Sequence, residues 1–216
     1  MARFWVADLH LGHELVAEKR GFKSWQDHDE KLLVQLGKLT EKDHLWVLGD
    51  ISSGREEKEE YALWKLKNTV KASMHLIAGN HDSVSSIHRN GFKKQREWLE
   101  VFDSIQQFGC IKFNGYQILM SHYPYARSGD GANRETVRYS EFRLPDTGLP
   151  LIHGHTHQDT PHGFHSTFDM DNGYRVNAPD IQQLCVSWDA HRRLVTEKDI
   201  NTWTEKLKAQ ERGGLW

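Results

Sequence analysis

The sequence predicts an α/β fold with a mostly parallel sheet, on three observations. Short apolar runs rich in strand formers alternate with amphipathic helical segments over the first 80 or so residues. Each apolar run stops abruptly at a polar cluster. In the second half Asn114-Gly115 sits between two apolar runs, the strongest short hairpin signal. Strand–helix alternation is the signature of βαβ units.

Taken in order, residues 3–7 (RFWVA) read as a buried strand whose end delivers Asp8-Leu9-His10. From Trp25 to Leu39, the spacing of Leu32, Leu33, Leu36 and Leu39 predicts an amphipathic helix. Residues 44–48 (HLWVL) form the next buried strand, ending at Gly49-Asp50, and Glu56 to Lys67 a helix with one wet face. A third strand over 74–78 (MHLIA) runs into Gly79-Asn80-His81-Asp82. Ser104 to Phe113 and Tyr116 to Ser121 flank the hairpin signal, and the second ends at His122. The stretch 123–150 is long, polar and marked by Gly, Pro and Arg, and loops of that length are usually functional or mobile. Leu151 to His153 is a short strand ending at Gly154-His155-Thr156-His157, and 174–177 and 184–188 read as closing strands. Ile200, Trp203 and Leu207 share one face of a terminal helix, followed by a frayed tail at 213–216. With no repeat, low-complexity tract or linker, residues 1–216 read as one domain, 197–216 being its terminal helix and tail.

Composition narrows the functional classes. The chain has 216 residues, with 28 Lys and Arg against 30 Asp and Glu, a net charge of −2. That balance argues against a broad electrostatic grip on long nucleic acid. Eight Trp, six Tyr and nine Phe argue against disorder. No apolar run is long enough for a membrane span, and the N-terminus carries no secretory pattern. Cys110 and Cys185 read as reduced core thiols, so a cytoplasmic location is expected, the host cytoplasm if the chain is phage-encoded. The outlier is histidine, with 14 residues, and histidine is the commonest metal ligand.

Five predicted strands end in polar clusters: Asp8/His10, Asp50, Asn80/His81/Asp82, His122 and His155/His157. In open α/β sheets ligands bind beyond the carboxyl ends of strands. Each cluster alone is weak, since a Gly-Asp or Gly-Asn is ordinary turn chemistry. Together they bring carboxylate, imidazole and amide oxygen repeatedly to one edge, where each group buried unpaired would cost several kcal/mol. Divalent cations are the common partners of such a set.

Asp8-x-His10, Gly49-Asp50, Gly79-Asn80-His81-Asp82, Ser121-His122 and Gly154-His155-Thr156-His157 resemble the calcineurin-like metallophosphoesterase family, all five blocks in the family's order over positions 8 to 157. The opening Asp8-Leu9-His10-Leu11-Gly12-His13, with Arg20-Gly21-Phe22, is similar to a small branch found in bacteria and phages. The resemblance implies a four-layer α/β/β/α sandwich with two mixed β-sheets. It also implies two divalent metal ions. Asp8, His10 and His157 would hold the first, Asn80, His122 and His155 the second, and Asp50 would bridge them through its two oxygens. A nitrogen and oxygen set without thiolate suits Mn²⁺, Fe, Zn²⁺ or Ni²⁺ more than Ca²⁺ or Mg²⁺, and Mn²⁺ is the expected metal among these. Two such ions about 3.5–4 Å apart share a hydroxide, lower its pKa and clamp a phosphoryl group. His81, unliganded in the pattern, would protonate the leaving alkoxide, with Asp82 orienting it.

His13 and Arg20 are candidate substrate contacts, because arginine binds phosphate bidentately; a helix-start arginine also serves as a solvated ion-pair partner. His153 reads as structural, His44 and His75 as core-edge, His162 and His165 as surface, and Asp189 as a turn or ion-pair residue. The loop 123–146 balances Arg127, Arg134, Arg138 and Arg143 with Asp130, Glu135, Glu141 and Asp146, so it reads equally as a solvated loop or a lid for phosphate or base. The expected partner is a small phosphoester, with phosphodiesters such as 2′,3′-cyclic nucleotides leading and a phosphomonoesterase or phosphoprotein phosphatase as the alternative. A non-catalytic scaffold would be expected to lose ligands or His81, and both are present. A metal-storage protein would need no leaving-group acid. The sequence does not address the oligomeric state.

Overall fold

Strand β1 (Arg3–Val6) leads through two short turns into helices α1 (Glu14–Lys19) and α2 (Trp25–Leu36). Next come β2 (His44–Val47), α3 (Glu56–Thr69), β3 (Ser73–Ile77), α4 (Gly91–Trp98) and β4 (Ser104–Gln106). The second half carries β5 (Phe108–Phe113), β6 (Tyr116–Ser121), β7 (Leu151–His153), β8 (Gly163–Asp169), β9 (Tyr174–Asp180), β10 (Gln183–Cys185), α5 (Trp188–His191), β11 (Val195–Thr196) and α6 (Glu197–Arg212). This computed structural model describes residues 1–126, 128, 130, 137–169 and 174–212, without the side chains of 164–169, 174–179 and 211–212.

Two mixed sheets result. The first has the order β11-β1-β2-β3-β4, parallel except for β11. The second runs β10-β7-β6-β5, with β5 and β6 antiparallel. Alternation along β1–β3 divides the core. Val6, Leu45, Val47, Met74 and Leu76 face Leu32 and Leu36 of α2, Ala62 and Leu66 of α3, and Trp98 of α4. Trp5 and Ile77 face the other way, onto Ile118, Met120 and Ile152 of the second sheet. Burial on both faces is why these strands read as continuous apolar runs.

Helix α2 starts where Ser24 Oγ accepts the Asp27 amide at 3.1 Å and stops at Gly37, short of the expected Leu39; Leu39 is still buried beyond the cap. The run 104–113, read as one strand, is two. β4 pairs in parallel with β3 in the first sheet, whereas β5 pairs with β6 in the second, so the chain changes sheets at Gln107. The hairpin loop is Asn114-Gly115, with φ of 50° and 88°, the two left-handed residues that a type I′ turn requires. The expected closing strand 174–177 belongs to β9, which among the described residues pairs with β8 alone, as a separate ribbon.

Helix α6 inserts Ile200, Trp203 and Leu207 between the sheets. Its Thr204 and Glu205 accept from Asn114 Nδ2 at 3.0 and 2.7 Å, so it lies at the hairpin end of β6, away from His122. The tail 213–216 lies outside the described residues. Cys185 is buried, but Cys110 is exposed, because β5 is an edge strand with its even-numbered side chains outward. Among the described residues no helix is long and apolar enough to cross a membrane.

Candidate metal centre

Five strand ends converge on one edge of the paired sheets. β1 supplies Asp8 and His10, β2 Asp50, β3 Asn80 and His81, β6 His122, and β7 His155 and His157. Of the eight non-glycine residues with positive φ among those described, five are in this set: Asp8, His10, Asp50, His155 and His157. Such backbone is uncommon outside glycine and collects at functional sites, held by its surroundings. Here the surroundings are amides. Asp8 N donates to Gly49 O at 3.0 Å, His10 N to Asp50 O at 3.0 Å, and Gly154 N to His122 O at 3.0 Å. Gly49 (φ +83°) has no room for a side chain, since a Cβ would lie 2.6 Å from the Gly79 backbone.

The histidine rings are oriented by their far nitrogens. His10 Nδ1 donates to Ser52 O at 2.9 Å and His122 Nδ1 to Leu48 O at 2.8 Å, so each presents an Nε2 lone pair inward. His157 Nδ1 is 2.8 Å from Asp189 Oδ2. Inside, His10 Nε2 and His157 Nε2 are 3.1 Å apart. His122 Nε2 faces Asn80 Oδ1 at 3.2 Å, His155 Nδ1 at 3.3 Å and Asp50 Oδ2 at 3.5 Å. Ligand atoms of Asp8, His10 and His157 lie within 4.8 Å of one another, and so do those of Asp8, Asp50 and His122. Ligands about 2.1 Å from a tetrahedral cation stand about 3.4 Å apart, so these acceptor-to-acceptor spacings are those of a coordination shell. The residues present therefore fit divalent cations, and the seven residues expected as ligands stand together.

Three expectations are corrected. Asp50 does not offer both oxygens: Oδ1 accepts the His81 amide at 2.8 Å, while Oδ2 lies 3.9 Å from His10 Nε2 and 3.5 Å from His122 Nε2. A single oxygen is placed to bridge. Asp82 does not orient the His81 ring. Its buried carboxylate accepts the amides of Asp50, Ile51 and Gly79 at 2.9, 3.0 and 2.7 Å, tying the β2 loop to the β3 loop. Arg20 is not a substrate contact. Its guanidinium is buried, pairs with Asp189 through Nε and Nη2 at 2.9 and 2.7 Å, and donates to Asp8 O and Leu9 O. Asp189 is thus the ion-pair residue expected of it, and it also holds His157, a role the sequence did not reveal.

Burial governs the charge states. It raises Asp8, and the neighbouring Asp50 adds to it. Burial and then Asp50 push Asp82 up to about 7. His10 is lowered by burial and by His157, and His155 by burial and by His122. Burial also pulls on His157, but Asp8 and Asp189 outweigh it and raise this imidazole. His155 Nε2 is buried without a hydrogen-bond partner. Desolvated carboxylates beside the His10 and His155 imidazoles, which burial disfavours as cations, form a pocket whose charge a dication would complement.

His81 and His13 are half-buried at the rim, each ring centroid 5.5 Å from that of His10. His153 is buried, its Nδ1 donating to Gly154 O at 2.8 Å. His44 and His75 are half-buried and stacked, and His162 is half-buried against Gln183 O; the His165 side chain lies outside the described residues. In the long loop Arg138 and Arg143 both bind Asp130, while Arg127, Arg134 and Glu135 are outside the described residues. Tyr123 and Tyr139, not singled out in the sequence, set their rings edge-on to His155 at 4.9 and 5.9 Å.

Residues 4–159 match the family described as calcineurin-like phosphoesterase. The Gene 66 protein of Mycobacterium phage L5 is 33% identical over 221 residues, covering 98% of this chain and 98% of its own. The Gene 66 protein of Mycobacterium phage D29 is 36% identical over 167 residues, 73% of this chain and 79% of its own. A protein of unknown function from Aquifex aeolicus shares the fold, with a TM-score of 0.60 at 24% identity over 93% of this chain and 98% of its own. A family match over most of the chain, on a sheet edge that gathers a metal-ligating set, identifies the protein as a member of the calcineurin-like phosphoesterase family, hydrolases of phosphoesters.

Proposed function

We propose that the protein hydrolyses phosphodiester bonds of small substrates at a dinuclear centre, with Mn²⁺ as the favoured metal and 2′,3′-cyclic nucleotides as leading substrates. The observation that carries this reading is the His10–His157 contact of 3.1 Å beside a His122 lone pair facing two oxygens. Asp8, His10 and His157 would hold one ion, Asn80, His122 and His155 the other, and Asp50 Oδ2 would touch both. When bound, such ions supply an acidified water as nucleophile and neutralise the phosphoryl oxygens. A thiolate-free set of imidazole and oxygen ligands suits Mn²⁺, Fe, Zn²⁺ or Ni²⁺ more than Ca²⁺ or Mg²⁺.

The remaining work falls to the chain's own groups. Asp189 holds the His157 ring, and Ser52 O and Leu48 O hold His10 and His122, so ligand lone pairs are aimed before substrate arrives. His81 is anchored by its own amide on Asp50 and keeps its ring at the rim, where it donates a proton to the departing alkoxide oxygen. A diester carries one negative charge, and the described loop arginines 138 and 143 are already bound to Asp130, which supports diesters over monoesters.

Hydrolysis of bis-p-nitrophenyl and mono-p-nitrophenyl phosphate, with a panel of 2′,3′-cyclic nucleotides, tests the reading in Mn²⁺ and in chelator. The expected result is Mn²⁺-dependent hydrolysis with the higher kcat/KM on diesters. A clear monoester preference would assign the centre to phosphatase chemistry, and full activity in chelator would end the metal reading.

A further inference from the structure

Beside the ligand cluster the surface opens into a groove of about 470 Å³ lined by Asn80, His81, Ser53, His88, Lys93 and Lys94, among others. That volume lies within the about 300–1,000 Å³ usual for small-molecule sites. Two of its residues, Asn80 and His81, belong to the centre itself, and His88 Nε2 donates to Asn80 O at 3.0 Å, so the groove is continuous with the site. A diester with its phosphorus at the ligand cluster has room for one ester arm past His81 in this groove.

Among the described residues no carboxylate lines the groove. Its two lysines differ. Lys94 Nζ is engaged by Glu97 at 3.2 Å and Glu56 at 3.8 Å. Lys93, from the first turn of α4, is exposed and makes no ion pair among the described residues; its Nζ lies only over the Phe92 ring, at 5.8 Å. Glu59, a buried acid beside the groove residue Ser83, has both oxygens taken by the amide and hydroxyl of Ser83. The groove thus offers one uncommitted cation alongside neutral hydrogen-bonding groups.

We propose that this groove receives the leaving arm of the substrate, and that Lys93 pairs with a phosphate carried on that arm. Among phosphodiesters, those whose leaving group bears a further phosphate monoester are then favoured, a 2′,3′-cyclic nucleotide carrying a 5′-phosphate included. This inference rests on the phosphodiesterase reading above. A neutral arm would leave Lys93 solvated and gain nothing from it.

Dithymidine monophosphate and its two forms with an added 5′- or 3′-terminal phosphate separate the outcomes. Cleavage of the shared internal diester is measured for each with the Mn²⁺-loaded full chain, and the products identify the leaving nucleotide. The expected result is a kcat/KM about 10-fold higher when the extra phosphate is on the leaving nucleotide, a gain that shrinks with salt. Lys93→Met brings this ratio toward one, Lys93→Arg retains it, and Lys65→Met, on α3 away from the groove, leaves the ratio as in the parent. Equal kcat/KM for all three substrates, a gain for phosphate on the retained nucleotide, or a gain that survives Lys93→Met would each overturn the proposal. Bis-p-nitrophenyl phosphate is run on the same preparations. Its metal-dependent hydrolysis without a phosphate gain removes the groove assignment alone, and its absence removes the phosphodiesterase reading with it.

Discussion

Asp189→Asn is expected to loosen both the fold and the metal centre, and the two effects can be separated. Arg20 and Asp189 are 169 residues apart in sequence and meet through two contacts of 2.9 and 2.7 Å. The side chains are only 1% and 13% exposed, so solvent screens the pair little. Removing one partner of a buried pair costs about 3–5 kcal/mol. The amide keeps the shape and one acceptor oxygen, which places this variant near about 3 kcal/mol. At about 2–4 °C per kcal/mol for a chain of this length, the metal-free melting temperature should fall by about 6–12 °C. His157 loses its carboxylate partner in the same variant, and removal of such outer partners typically weakens metal binding about 10–100-fold. The double variant Arg20→Met/Asp189→Leu leaves no unpaired charge and should recover part of the melting temperature, while metal affinity stays low because His157 is still unheld. Thermal unfolding in chelator and Mn²⁺ titration of the three proteins decide the matter. Parent-like melting and metal affinity in Asp189→Asn would refute the reasoning. Arg20→Met with a raised KM as its sole defect would restore a substrate contact.

His81→Ala should lose about 10²–10⁴-fold in rate on a nucleotide diester but far less on bis-p-nitrophenyl phosphate, whose leaving group needs no proton; equal losses on both substrates would remove the acid role. Asp50→Asn should lower metal content more than Asn80→Ala, because it removes charge from the oxygen placed between both groups, and elemental analysis after saturation checks this. Asp82→Asn should lower the melting temperature and reduce turnover of both ester types alike, since its carboxylate holds three backbone amides rather than the His81 ring; a loss confined to nucleotide substrates would contradict this. Hydrogen bonding to Arg193, and to Thr196, holds the Asp199 carboxyl below the usual range. Its contribution is present above about pH 4 and is lost as pH falls through the lowered value. Asp199→Asn should therefore melt lower than the parent at pH 7, with the gap closing on acidification; a gap independent of pH would show that the carboxylate charge does not matter.

The candidate ligand positions were legible because each combines a strand end with a turn and a polar residue. Asp50 after Gly49 and His122 after Ser121 carry local signals that chain direction places at one sheet edge. Residues defined by distant contacts were not legible. Nothing around Asp189 announces that it will meet Arg20 and His157 from across the chain. Adjacency misled at Asp82: its position next to His81 suggests a pair, but the turn sends the carboxylate back under Gly79 and Asp50. The change of sheet at Gln107 was hidden because neither Gly nor Pro separates β4 from β5, so nothing local marks where the hydrogen-bonding partner changes. Lys93 was equally silent, one basic residue among several in α4, set apart only by what its neighbours leave unpaired.

Helix α6 lies at one end of the seam between the sheets, with Trp203 and Leu207 wedged into it and Thr204 and Glu205 bound to the β5–β6 hairpin turn. At the other end the amide of His155 binds Asp8 Oδ2 at 3.0 Å, so a residue of the second sheet is fastened to one of the first. The sheets behave as two plates clamped at opposite edges, and the ligand spacing is the gap left at one of them. Spreading the plates at the helix end would rotate His122, His155 and His157 away from Asp8, His10, Asp50 and Asn80. A helix that contributes no candidate ligand thus props the far end of the seam on which the candidate ligands face one another.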